Sequence, residues 1–188
     1  GLAPAQTLEL AEIYFQQYKR GELALDEFFR FQLAEFIGRT PEEMAPLLQR
    51  HFEDYCRDKI YPGAVELIAE CRKNDKPLVV LTSTNRQVAG PLSSYLKFDD
   101  LLACDLELHN GRFTGRLADE YSGGTGKFNY ARDYCRRHGL ELNQAAYYGD
   151  GISDRFILSA VGFPTAVNPV PELRDIAREK GWPIIDFT

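Results

Sequence analysis

The chain has 188 residues, a size typical of one principal domain with an insertion and large enough to bury a hydrophobic core. Its formal net charge of −6 argues against a nucleic-acid partner and against anionic membrane surfaces, and no segment reaches the ~18 consecutive apolar residues that a membrane span requires. The four cysteines are scattered without a C-x-x-C pair, which indicates reduced thiols and a cytoplasmic location and argues against a disulfide framework or a zinc site.

The first third of the chain is predicted to be helical. Apolar residues recur at helical spacing over 7–19 and 26–36, and Gly38 ends the second of these predicted helices. The segment Thr40-Pro41-Glu42-Glu43 has the pattern of a capping box with proline at the first helical position, which predicts a third helix. We therefore assign residues 1–60 to a small helical cap.

From residue 61 onward the pattern alternates between helix and strand. The predicted helices cover 63–73, 86–96, 127–138, 154–161 and 171–180. The predicted strands cover 77–82, 101–105, 145–149, 164–167 and 183–187. Alternation of this kind is typical of a parallel sheet with helices on both faces, so the fold class is α/β with a Rossmann-like core over 61–188. The pair Asn110-Gly111 predicts a β-hairpin at 106–118, over the carboxyl edge of the sheet.

Three hydroxyls and an amide stand where the first predicted strand ends. The run Pro77-Leu78-Val79-Val80-Leu81 has the composition of a buried parallel strand, and it is followed by Thr82, Ser83, Thr84 and Asn85. An N-cap for the next helix would need only one of these side chains. The cluster is therefore a candidate for ligand binding as well as for capping.

A glycine-rich segment precedes the helix predicted at 127–138. It reads Ser122-Gly123-Gly124-Thr125-Gly126-Lys127. A lysine at the start of a helix opposes the helix dipole, so a partner anion would explain its position. A nucleotide-binding P-loop is the weaker interpretation, because that motif needs a glycine and a hydroxyl where the chain has Tyr121 and Phe128.

Two carboxylates follow another predicted strand. In Tyr147-Tyr148-Gly149-Asp150-Gly151-Ile152-Ser153-Asp154, the strand would bring Asp150 to its carboxyl end, and Asp154 would open the following helix. Carboxylates on a turn, completed by water and substrate phosphate, are a usual arrangement for magnesium. Plain turn and capping chemistry is the alternative explanation for the same residues.

A hydroxyl at one strand end, a lysine at a helix start and carboxylates at another strand end resemble, in this order, motifs two, three and four of the haloacid dehalogenase superfamily. Segments outside the motifs, such as Tyr61-Pro62-Gly63-Ala64 and Ala166-Val167-Asn168-Pro169, resemble its phosphoserine-phosphatase-like branch. The resemblance covers essentially the whole chain.

The resemblance implies roles in substrate binding. Thr82 would hydrogen-bond the transferring phosphoryl group, and Thr84 is the alternative if the register of the loop shifts. Ser83 and Asn85 are assigned to substrate binding with them. Lys127 would neutralise the phosphate and the nucleophile.

The resemblance also implies a magnesium cofactor. Asp150 would ligate the metal, and Asp154 would support Lys127 and the waters of the metal, so both aspartates are assigned to the metal site. The branch often has Asn where Ser153 stands, and this is a departure from its pattern.

The Asp-x-Asp motif of the superfamily has no counterpart in the chain. In the superfamily this motif follows the first strand, and its first Asp is the phosphorylated nucleophile. The nearest candidate, Asp105-Leu106-Glu107, runs into the predicted hairpin instead of a strand-to-helix crossover. We therefore expect a cap that is incomplete at its N-terminus. Between the strands that end at Thr82 and Asp150 we expect either a gap in the sheet, a collapsed pairing of these two strands, or a substitute strand from another molecule.

Two functions are compatible with this sequence. The first is a magnesium-dependent phosphatase of small phosphorylated metabolites that acts through an aspartyl-phosphate intermediate; its nucleophile is absent from this chain, which should then be close to inactive. The second is a catalytically silent domain that binds phosphate or a partner. Phosphoserine, histidinol phosphate and other phosphomonoesters all remain open as substrates, and the oligomeric state is not predicted.

Overall fold

The computed structural model describes residues 4–20, 24–73, 76–119, 121 and 125–188. Its helices are α1 (Pro4–Arg20), α2 (Leu25–Gln32), α3 (Pro41–His51), α4 (Pro62–Arg72), α5 (Arg86–Tyr95), α6 (Thr125–His138), α7 (Arg155–Leu158) and α8 (Pro171–Lys180). Its strands are β1 (Val79–Asn85), β2 (Asp100–Cys104), β3 (Leu106–His109), β4 (Arg112–Leu117), β5 (Ala146–Gly149), β6 (Phe163–Val167) and β7 (Ile184–Ile185). None of the helices in these described ranges has the length and apolar character needed to cross a membrane.

The predicted parallel sheet is present as two separate pieces. Strand β1 pairs with β2 in one piece, and β6 lies between β5 and β7 in the other; all three pairings are parallel. Among the described residues, no strand pairs with the second edge of β1 or with the second edge of β5. Of the three expected arrangements, a collapsed pairing of β1 with β5 is therefore not found in this part of the chain, and unpaired edges, as at a gap, are.

Helix α6 connects the two pieces of the sheet. It contacts β1 in the first piece and α7 beside the second piece. Helix α5 packs against β1 and β2, while α7 and α8 pack against β6. The core of the second piece is formed by the buried residues Leu158, Ala166, Leu173 and Ala177. These contacts place the start of α6 close to the site described below.

The hairpin is confirmed, and its turn has the geometry that the sequence predicts. Asn110 and Gly111 have φ angles of +51° and +74°, as a two-residue type I′ turn requires. The hairpin does not stand alone. Its buried residues Leu106 and Phe113 share one hydrophobic cluster with Leu33 of the helical region. Helices α2 and α3 are thereby anchored to the hairpin, and the division into a 1–60 cap and a 61–188 core stays a prediction.

The helical region differs from the prediction at one boundary. The helix predicted at 26–36 ends at Gln32, and the chain then turns until Gly38, which has a φ of +76°. A long-range contact explains the early end, because the N–H of Gly38 donates to the carbonyl of Phe113 at 2.9 Å and the N–H of Phe113 donates to the carbonyl of Arg39 at 2.9 Å. The capping box at Thr40 is confirmed by reciprocal hydrogen bonds with Glu43 of 3.2 and 2.8 Å.

Further boundaries also differ from the prediction, and the last strand, predicted at 183–187, is Ile184–Ile185. The helix predicted at 154–161 is a turn of 3-10 helix at Ile152–Asp154 followed by the short α7, because the chain must turn back at Gly162 to begin β6. The strand predicted at 77–82 continues to Asn85, where it still pairs with Cys104 of β2.

Candidate functional site

The centre of the candidate site is the carboxylate of Asp154, a residue that is only 1% exposed. Its Oδ1 accepts hydrogen bonds from Lys127 Nζ at 2.6 Å and from the Tyr147 hydroxyl at 2.8 Å. Its Oδ2 accepts from the backbone N–H groups of Asp150 at 3.1 Å and Gly151 at 2.9 Å. A carboxylate has about four acceptor positions, so these donors saturate Asp154 and fix its orientation.

The end of β5 explains why Asp154 can fold back into this position. A Cβ atom on Gly149 would lie 2.8 Å from both Cβ and Cγ of Asp154, which is closer than real side chains approach. Glycine is therefore needed here to admit the aspartate against the strand end. The turn is also tied to the start of α8, since the N–H of Val170 donates to the carbonyl of Asp150 at 3.0 Å.

Lys127 lies in the first turn of α6 and is 8% exposed. Its ammonium opposes the helix dipole and is largely removed from water, and the charge of Asp154 offsets both costs. Lys127 and Asp154, which the resemblance relates to each other, form an ion pair with 2.6 Å between Nζ and Oδ1. A Cβ on the preceding Gly126 would lie 2.2 Å from the carbonyl oxygen of Tyr121, so glycine allows that residue to pack against the start of the helix.

Tyr147, which none of the sequence motifs includes as a site residue, completes the Asp154 cluster. Its side chain and Gly149 lie on the same face of β5 because they are two residues apart, and the absence of a side chain at Gly149 leaves room for Asp154 there. Burial, followed by the negative charge of Asp154, raises the pKa of Tyr147 well above its ordinary value. The hydroxyl therefore remains protonated and donates. The Tyr-x-Gly alternation before the aspartates was the signal that could have identified it.

Asp150 occupies a different environment from Asp154. It is exposed at the end of β5, and its carboxylate makes no hydrogen bond or ion pair within the described part of the chain. Such a carboxylate suits magnesium, which takes one or two carboxylates and completes its shell with waters and phosphate oxygens. Asp154 has no acceptor position left for a metal, so the geometry favours a supporting role for it within the predicted metal site. Among the described residues, no group of three or more His, Cys, Asp or Glu side chains could hold a metal ion. A metal at Asp150 would therefore take its other ligands from water and substrate phosphate.

The predicted substrate-binding segment lies at the end of β1. Regular pairing with β2 stops at Leu81 and resumes at Asn85, so Thr82, Ser83 and Thr84 form an irregularity at the strand end. The Thr82 hydroxyl accepts from the N–H of Thr84 at 3.1 Å. Asn85 caps α5, with its side-chain oxygen accepting from the N–H of Val88 at 3.0 Å.

The structure therefore unites part of the predicted site directly. Lys127 and Asp154 are hydrogen-bonded to each other, and the backbone of Asp150 joins them. The hydroxyl segment that begins at Thr82 belongs to the other piece of the sheet. Helix α6, which carries Lys127, contacts β1, which carries the hydroxyl segment.

The carboxylate of Asp105, the nearest candidate for a nucleophile, forms an ion pair with Arg86. It accepts from Arg86 Nε at 2.5 Å and from Nη2 at 3.3 Å. The hydrogen bond to Asp105 raises the pKa of Arg86 above its ordinary value, although partial burial opposes this shift. Arg86 also donates to the carbonyl of Leu101 at 2.7 Å, so the pair links α5 to β2. An aspartate held in this way is unsuited to nucleophilic attack.

Several known proteins are similar to this chain. The sequence model of the haloacid dehalogenase-like hydrolases matches residues 2–159. A protein named phosphoserine phosphatase from Mycobacterium tuberculosis is 35% identical over 158 residues, which are 84% of this chain and 51% of that protein. A protein named histidinol-phosphatase from Neisseria meningitidis is 28% identical over 187 residues, which are 97% of this chain and 84% of that protein.

A solved structure shows the same fold. The crystal structure of a protein of unknown function from Bordetella pertussis matches with a TM-score of 0.88 and 30% identity, covering 97% of this chain and 83% of that one. The chain spans only about half the length of several curated relatives that it matches: it covers 51% to 53% of their residues.

Proposed function

Because the chain belongs to the haloacid dehalogenase-like hydrolases, we propose that it forms the phosphate-binding part of a magnesium-dependent phosphatase for small phosphorylated metabolites. The observation that carries this proposal is the buried Lys127–Asp154 ion pair of 2.6 Å beside the exposed carboxylate of Asp150. A cation held in advance by a buried carboxylate can stabilise a phosphoryl group with little reorganisation.

Lys127 would bind the phosphoryl group directly. An ammonium has three N–H donors, and Asp154 takes one of them. Since Asp154 holds the ammonium in place, the other two donors can face a phosphate oxygen. Asp154 would thus act by positioning Lys127, and its own oxygens would stay within the protein.

Asp150 and the β1 hydroxyls would complete the contacts with substrate. Asp150 would hold magnesium, which when bound draws negative charge away from the phosphoryl group. Thr82 would donate its hydroxyl to a phosphoryl oxygen, with Ser83 and Thr84 beside it. Asn85 would contribute through its amide N–H groups, because its side-chain oxygen already caps α5.

The nucleophile would be an aspartate on a strand that fills the gap between β1 and β5. Its carboxylate oxygen would form a bond to phosphorus while the phosphorus–oxygen bond to the substrate alkoxide breaks, and the alkoxide would leave with a proton from a neighbouring acid. Water would then hydrolyse the aspartyl-phosphate and release inorganic phosphate. The relatives named phosphoserine phosphatase and histidinol-phosphatase make phosphoserine and histidinol phosphate the first substrates to test.

A catalytically silent phosphate- or partner-binding domain is the second candidate function. The observation in its favour is that Lys127 and Asp154 form their ion pair without a carboxylate from a strand between β1 and β5. Phosphate binding without turnover is then the expected behaviour.

Phosphate release from a panel of phosphomonoesters tests the proposal. The 188-residue chain is expected to be close to inactive, whereas a chain extended by its natural upstream sequence should show magnesium-dependent turnover that EDTA abolishes. Asp150→Asn and Lys127→Ala should each abolish this activity. Asp175→Asn and Lys73→Ala are matched controls, because these side chains are 78% and 69% exposed in surface ion pairs.

The same panel separates the two candidate functions. Robust turnover by the 188-residue chain would mean that one of its own carboxylates is the nucleophile; Asp105 would then be the first to substitute, and its pairing with Arg86 would have to open during the reaction. An extended chain that binds phosphate but releases none from any substrate would favour the silent domain.

A further inference from the structure

Tyr147 and Lys127 donate to the same oxygen of Asp154. The two donors lie 2.8 and 2.6 Å from Oδ1, while Oδ2 is occupied by backbone N–H groups. A carboxylate oxygen has about two acceptor directions, so the Tyr147 hydroxyl takes one and leaves Lys127 the other. The direction from which the ammonium approaches is therefore determined by the tyrosine.

The ring of Tyr147 is itself held firmly. It packs against the core cluster of the second sheet piece, which includes Leu158 and Ala166. Its neighbour Tyr148 faces the other side of β5, is 39% exposed, and has its hydroxyl 3.9 Å from the sulfur of Cys71. Only one of these adjacent tyrosines has its hydroxyl on the carboxylate that holds Lys127.

We propose that Tyr147 is a positioning residue for phosphate binding, which acts through Asp154 to keep the ammonium of Lys127 in a single orientation. This inference rests on the proposed function, in which Lys127 binds the phosphoryl group. Without the hydroxyl, Oδ1 has a vacant acceptor direction. The ammonium can then move between two positions, and phosphate binding must restrict it again.

The test compares Tyr147→Phe with its matched control Tyr148→Phe in the full-length protein. The measurement is the Kd of inorganic phosphate by calorimetry, with magnesium present. We expect Tyr147→Phe to raise the Kd about threefold to tenfold, within the range for the net contribution of one ordinary hydrogen bond because the lost bond acts on Lys127 only through Asp154, and Tyr148→Phe to leave it within about twofold. Urea unfolding of both variants separates binding from folding, since a merely structural tyrosine would lower stability and leave the Kd of the folded protein unchanged.

A double variant tests whether the effect passes through Lys127. If it does, Tyr147→Phe should weaken phosphate binding no further when Lys127→Ala is already present. An unchanged Kd in Tyr147→Phe, or full additivity with Lys127→Ala, overturns the inference. If Lys127→Ala alone has no effect on the Kd, Lys127 does not bind phosphate, and both the proposed function and this inference fail.

Discussion

Replacing Asp154 with asparagine isolates the contribution of the buried ion pair. The amide preserves the shape of the side chain but substitutes an NH2 group for one oxygen. If the nitrogen replaces Oδ1, Lys127 and Tyr147 lose their acceptor; if it replaces Oδ2, the N–H groups of Asp150 and Gly151 lose theirs. In either orientation the ammonium of Lys127 loses its counter-charge.

The expected cost is large because the environment is buried. The side chains of Lys127 and Asp154 are 11% and 1% exposed, so water cannot replace the lost partner. Breaking a buried pair by removing one charge typically costs about 3–5 kcal/mol. This is a substantial part of the ~5–15 kcal/mol by which a domain is usually stable.

Urea unfolding followed by circular dichroism measures this cost. With an m-value of about 1–3 kcal/mol/M, Asp154→Asn should lower the unfolding midpoint by at least about 1 M. Asp175→Asn is the control, since its 3.5 Å pair with Arg178 is exposed and should contribute no more than about 0.5 kcal/mol. Adding Lys127→Met to Asp154→Asn should recover part of the loss, because it removes the unpaired charge. A loss below about 0.5 kcal/mol for Asp154→Asn would refute the reasoning, since it would mean that water solvates the ammonium.

Two further predictions concern local interactions elsewhere. Thr40→Ala should destabilise the protein by about 1 kcal/mol in urea unfolding, because it removes the acceptor for the N–H of Glu43, whereas Thr40→Ser keeps the hydroxyl and should cost much less. Arg174 holds the pKa of Asp186 below its ordinary value through hydrogen bonds of 2.6 and 3.0 Å, so the pair stabilises the fold above about pH 4 and loses this effect as the pH falls through the lowered pKa. Arg174→Gln should therefore raise the pKa of Asp186 in an NMR titration, and Arg136→Gln, a remote control, should leave it unchanged.

Features that depend on neighbours in the sequence were predictable. The Asn110-Gly111 turn and the Thr40 capping box are found where the sequence indicates, and the N-cap of α5 is Asn85, one of the four polar residues among which the sequence left that cap open. The alternating pattern also predicted the parallel pairings. Local chemistry therefore accounts for most element types and for much of their extent.

Features that depend on distant contacts were not predictable in the same way. Helix α2 ends early because Gly38 pairs with Phe113, a residue far along the chain. The different environments of Asp150 and Asp154 could not be read from their spacing, since they follow from how the turn folds against β5. Tyr147 was overlooked because an apolar run containing tyrosine predicts a strand, and the partner of one hydroxyl depends on the tertiary fold.

The gap in the sheet connects the stability of the fold to its chemistry. The unpaired edges of β1 and β5 carry backbone N–H and C=O groups without a strand partner among the described residues, and such edges favour the addition of a strand. In the proposed function a strand in this position would pair with both edges, and so would hold Thr82 and the Lys127–Asp154 pair at a defined separation. The same strand would carry the nucleophile. Removing the strand and substituting its aspartate are therefore different perturbations: the first loosens the phosphate site, whereas the second leaves the site intact and stops only the attack on phosphorus.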